Sequence, residues 1–208
     1  MRSGRVQLPR PENQHGTRGQ YLKGHSARRM RFLTRKPSPS EYATHLSEMY
    51  DAGFDKTMFN EIFPAESVSL YHSADAALAE WFAFGAFIVT YCLWVVFDSK
   101  EKIFPILDSF QPMLVNRLRK LSPAIADQFF KIASAREEEY MTAYRKIKDG
   151  TSMSIFYSRV GSHIIGSFDP SLDSLDMPQL SDIIQVVGLS TFGTKAMVAI
   201  KSALEKAK

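Results

Sequence analysis

The sequence predicts an all-α fold: a bundle of six or seven helices packed around one central, all-round apolar helix at about 67–98, preceded by a disordered basic tail. Three observations carry this. Apolar residues recur at helical spacing in nearly every segment beyond residue 37, and capping residues, Gly and Pro punctuate those segments. The run Ala76–Phe97 holds one charge, Glu80, and no polar stripe, the pattern of a helix buried on every side or placed in lipid. No segment alternates apolar and polar residues over a strand's length. The expected organisation is a tail, 1–36, and a single helical domain, 37–208.

The elements follow in order. Lys36-Pro37-Ser38-Pro39-Ser40 is a boundary, because alternate prolines bias the backbone toward extended forms. Ser40 is the expected N-cap of a helix through about Ala52, with Tyr42, Leu46, Met49 and Tyr50 inward and Gly53 just past its end. Asp55 caps a short second helix carrying Met58, Phe59, Ile62 and Phe63, stopped by Pro64. Ser67 opens the apolar helix, and Asp98-Ser99-Lys100-Glu101-Lys102 closes it. Pro105 and Pro112 predict that the next stretch is helical only in pieces.

Ser122-Pro123 starts a long helix to about Asp149, since Ser caps and Pro suits the first turn. Its apolar face is Ile125, Phe129, Ile132, Tyr140, Tyr144 and Ile147, and the charge run Arg136-Glu137-Glu138-Glu139 is expected to be solvated. Met153, Phe156, Tyr157, Val160 and Ile164 form the stripe of another helix, ending near Gly166. Asp169-Pro170 marks a turn. Asp176 and Pro178 begin the last helical region, where Leu180, Ile183, Ile184 and Val187 are periodic. Gly188 and Gly193 weaken its middle, and Thr194 recaps a final piece.

Charge is unevenly placed. Residues 1–36 hold ten Lys/Arg and one acid, a net of +9, which leaves −5 for 37–208 and +4 for the whole chain. The basic balance therefore does not make the domain a nucleic-acid binder. Three readings fit the tail: Met30 rather than Met1 is the true start, the tail is a transit segment, or it is an arm for anionic surfaces. Its densest basic cluster is Arg28, Arg29 and Arg31. Any nucleic acid would bind there, non-specifically. The single cysteine, Cys92, excludes an intrachain disulfide framework and reads as a buried small hydrophobe.

The apolar run poses the main alternative. The uncharged stretch Trp81–Phe97 covers about 25 Å as a helix, slightly short of a ~30 Å hydrocarbon layer. Its Trp and Tyr residues are not confined to the two edges as an interfacial belt requires. A core helix is the expectation and a single span over 76–97 the alternative.

The candidates for chemistry are sparse. Glu41, His45 and Glu48 share one helix face and are the weak metal-ligand set. His72 and Asp75 precede the apolar run and, with Glu80, mark the candidate ligand pocket or acid–base site. His163 sits on a mostly apolar helix and reads as half-buried. Gly188–Lys195 resembles a phosphate loop only superficially, because Thr194 precedes Lys195 instead of following it. No catalytic residue and no cofactor is expected. The sequence favours a non-enzymatic, cytoplasmic helical domain for protein interaction or self-association, the alternatives being a membrane-associated protein and a helical ligand-binder or enzyme.

Overall fold

The chain leaves its Pro-rich boundary through a reciprocal cap. Ser38 Oγ accepts from Glu41 N, and the Glu41 carboxylate accepts from Ser38 N at 2.7 Å. This capping box starts α1 (Pro39–Gly53) two residues earlier than expected from Ser40. The structure, a computed structural model, describes residues 36–68, 73–172 and 183–208, all within the compact unit Thr34–Lys208. The basic tail with Arg28, Arg29 and Arg31, and the helix start expected at Asp176 and Pro178, lie outside the described residues.

Seven α-helices and two 3₁₀ turns make up the described residues, with no strand among them. Asp55 caps α2 (Lys56–Ile62), accepting from Met58 N at 2.8 Å, and Pro64 follows its end. The central helix α3 (Ala74–Val96) is capped by Ser73 and so begins later than Ser67. It lies among α1 and the helices of the C-terminal half, and its buried residues run around its whole circumference. Trp81 is fully buried among Phe54, Phe59, Phe63, Phe84 and Phe192, with ring centroids 5.0–6.4 Å away. One turn and a half further on, Phe87 meets Tyr91, Tyr140, Tyr144 and Phe156 at 5.6–6.1 Å.

Next, α4 (Lys100–Leu121) is one continuous helix, against the expectation of pieces. Pro105 and Pro112 lie seven residues apart on its solvent face, so the carbonyls freed of a partner at Glu101 and Asp108 belong to exposed residues. The opposite face, Ile103, Ile106, Phe110, Leu114 and Leu118, is buried and holds the helix together by packing. Arg117 pairs with Asp51 and joins α4 to α1.

As expected, Ser122 and Pro123 open α5 (Pro123–Arg145). It stops short of Asp149, which instead caps α6 (Gly150–Ile165) by accepting from Ser152 N. Gly166, at φ 75°, ends α6 in the left-handed conformation that disfavours residues with a Cβ. Asp169 then accepts from Ser171 in the following turn.

The last helix, α7 (Ile183–Ala207), is also unbroken. Gly193 is retained in its interior for packing. A Cβ there would come within 2.7 Å of the Tyr157 ring, which is itself fully buried. Gly193→Ala should therefore lower the thermal midpoint despite Ala's better helix propensity. Overpacking costs about 1–3 kcal/mol and the propensity gain is about 1 kcal/mol, and thermal melting followed by circular dichroism decides the sign.

The periodic residues at the start of α7 do not mark its packed face. Ile183, Ile184 and Val187, periodic in sequence, point outward at 76%, 84% and 56% exposure, while Val186, Leu189, Met197, Ile200 and Leu204 face the core. α7 carries two apolar stripes on opposite sides, and periodicity alone cannot say which is inside.

Candidate functional site

Two features stand out against this framework: a charged cluster inside the bundle and an apolar stripe outside it. The cluster is assembled from three helices. Glu80, on α3, is buried although its neighbours in sequence are all apolar. Arg136 of α5 reaches it with Nε 3.1 and 3.2 Å from the two carboxylate oxygens and Nη2 at 2.9 Å. The same guanidinium donates from Nη1 to Glu139 Oε2 at 3.1 Å. From α6, Arg159 Nη1 donates to Glu139 Oε1 at 3.1 Å and His163 Nε2 donates to it at 2.9 Å. An ionised carboxylate only accepts, so His163 carries its proton on Nε2 in this contact.

Local geometry explains the assembly. Arg136 and Glu139 are three apart on α5, and Arg159 and His163 are four apart on α6, so each pair shares a face. Phe168, just after α6, stacks on the His163 ring at 4.0 Å and lies under the Arg159 guanidinium at 5.4 Å. Tyr140 Oη is fully buried near these charges and meets no hydrogen-bond partner among the described residues. Burial, then the Glu80 charge, push that hydroxyl well above its ordinary range.

Glu139 is the hub. Burial by itself would push its carboxyl up, but hydrogen bonds from His163 and Arg159, with the charges of His163 and Arg136, outweigh it and hold the group at about 2. Likewise burial opposes the charge on Arg136, and Glu80 more than offsets this, so its pKa is raised. A carboxyl held near 2 is a poor proton acceptor at neutral pH. The arrangement neutralises buried charge and ties α3, α5 and α6 together.

An acid dependence follows. Because Glu139 titrates lower in the folded chain than in the unfolded one, its contribution is fully present above about 4.5. It is lost as pH falls from there toward 2, and amounts to about 3 kcal/mol at most. Urea unfolding between pH 6 and pH 3 should show this fall, and Glu139→Gln should flatten it, leaving only the shared slope of the other carboxylates.

The residues singled out in the sequence are distributed as follows. Glu80 belongs to the cluster. Asp75 lies in the first turn of α3, about 140° around the helix from Glu80. His72 lies outside the described residues. Glu41 is engaged in the α1 cap, while His45 Nδ1 and the exposed Glu48 carboxylate approach to 3.9 Å. Among the described residues no group of three His, Cys, Asp or Glu is placed to hold a metal. Cys92 is buried, its thiol donating to Met197 O at 3.5 Å, and burial pushes it up to about 12. Arg136 and Glu139, expected on a solvated face, are half-buried partners of Glu80 and His163. The signal for this was the isolated Glu80 in an apolar helix, since a buried acid requires a cation.

Outside, a stripe of α7 runs through Ile184, Val187, Thr191, Thr194 and Val198, all exposed, apolar toward its two ends with two threonines between. A smaller patch lies at the α3–α4 corner, where Trp94 packs edge-on against Phe104 at 6.4 Å beside exposed Val95. Among the described residues two helices are apolar enough, by length and composition, to cross a membrane, Ala74–Val96 and Ile183–Ala207. The most apolar window of α3 is 78% buried within the bundle, whereas that of α7 is 33% buried. Fold and surface together define an all-α bundle with an apolar outer face on its final helix. No family model, curated protein or solved structure matches the chain.

Proposed function

We propose that the chain is a non-enzymatic helical interaction module, working in the cytoplasm and docking through the outer face of α7. The observation that carries this reading is the contrast between the two apolar helices. α3 is covered by its neighbours, while α7 keeps an apolar stripe in solvent. Large apolar side chains gathered in solvent on one helix face, here Ile183, Ile184, Val187 and Val198, are a feature that binding surfaces use. The charged cluster supports the same reading, because its groups are committed to one another inside the bundle.

Membrane association is the second reading, favoured by the composition of α7. One experiment separates them. The full chain is expressed without detergent, its membrane fraction is washed with carbonate, and the soluble fraction is weighed by native mass spectrometry. A soluble, monodisperse helical protein whose assembly mass is reduced by Ile184→Glu is expected. Retention in the washed membranes contradicts the interaction reading and supports the second.

A further inference from the structure

We infer that the occupant of the α7 stripe is the α7 stripe of a second copy of this chain, running antiparallel about a two-fold axis; this rests on the interaction reading above. Ile184, Val187, Thr191, Thr194 and Val198 are spaced three, four, three and four residues apart, the interval of a helix-pairing seam. All five are exposed, and the helix's buried residues occupy the opposite side. The seam spans about 21 Å of helix. Beyond Val198 the same line continues into Lys201 and Glu205, which approach each other to 3.8 Å and end the apolar surface with charge.

Two properties select a second copy and its direction. The stripe reads nearly the same from either end, β-branched apolar residues flanking two threonines, so an isologous contact matches like with like. With the axis between residues 192 and 193, Val187 meets the second copy's Val198 and Thr191 meets its Thr194. Each Ile184 then lies against the alkyl stem of Lys201, whose charged head stays in water. A parallel copy would instead set Lys201 on Lys201 in the seam and align the two helix dipoles, both unfavourable. A single helix pair of this length buries less than the roughly 800 Å² per partner of a standard interface, so the dimer is reversible and concentration-dependent.

Sedimentation velocity of the full chain over a wide concentration range, with cysteine cross-linking, tests this. A monomer–dimer equilibrium is expected, weakened at least tenfold by Val187→Lys with helix content and melting unchanged, since the site is exposed. With Cys92 left in its buried place, a mixture of Val187→Cys and Val198→Cys chains should be joined by a short bismaleimide, and Val187→Cys alone should not. Self-joining of Val187→Cys would overturn the antiparallel arrangement. A dimer indifferent to Val187→Lys would overturn the α7 assignment while leaving self-association standing. A monomer at every concentration overturns the second copy as occupant. If that monomer still binds another protein in a Val187-dependent way, the interaction reading survives, and if it does not, both fall.

Discussion

Replacing Arg136 with Met is expected to destabilise the fold by about 3–5 kcal/mol, the loss typical when one partner of a buried ion pair is removed. Glu80 sits on the central helix with its side chain only 5% exposed, and Arg136 supplies every hydrogen bond that its carboxylate makes to another helix. Met keeps most of the apolar stem and removes the charge. The carboxylate must then be desolvated without compensation or protonated, and both weaken the native state. The double variant Glu80→Leu with Arg136→Met should recover most of the loss, because a packed apolar pair replaces a buried ionic pair at little cost. Urea unfolding of the wild type, both single variants and the double variant closes the cycle. A loss below about 1 kcal/mol for Arg136→Met would place the pair among ordinary surface ion pairs instead.

Phe87→Asp should have a still larger effect and abolish cooperative melting. Phe87 is buried where α3 meets α5 and α6, ringed by Tyr140, Tyr144 and Phe156. Truncating a core Phe costs about 3–5 kcal/mol, and burying an unpaired carboxylate adds several more. The nearest cations of the cluster are already committed to Glu80 and Glu139. The sum reaches the entire stability of an ordinary domain, about 5–15 kcal/mol. Loss of the sigmoidal transition by circular dichroism, with collapse of amide dispersion in the NMR spectrum, is the expected outcome. A cooperative melt would contradict the core placement of α3.

Much of the fold is legible in the sequence, and where it is not the reason is physical. Caps read directly at Asp55 and Ser122, whose side chains satisfy backbone three residues on, whereas α3 is capped by Ser73 and not opened at Ser67. The Ser38–Glu41 box was equally local, but Ser40 competed with it as a cap. Breakers mislead. Proline and glycine carry helix penalties that packing overrides in α4 and α7, and whether Pro105 faces water or core is not a property of its neighbours in sequence. The outer and inner stripes of α7 are both apolar, so the choice between them is made by Tyr157 closing on Gly193.

The charged cluster is the part of the fold least visible in the sequence. Its members are scattered from residue 80 to residue 163, and only Glu80 carried a local sign of burial. Arg136 and Glu139 sit in a run of four charges that reads as a wet surface, and the two charges between them, Glu137 and Glu138, do face solvent.

One contact bears on how the chain is made. Tyr42, on the first helix, donates its hydroxyl to Ala207 O at 2.7 Å across 165 positions of sequence, and Lys208 Nζ donates to Val96 O at 2.8 Å. The first helix is therefore fastened by the last, and at the usual pace of synthesis several seconds or more separate their emergence from the ribosome. Until α7 emerges, the apolar flank of α3 that it covers must stay wet or be shielded by a chaperone. Bundle closure thus waits for α7, and nascent chains stalled before it should be protease-sensitive where α1 and the flank of α3 await that helix.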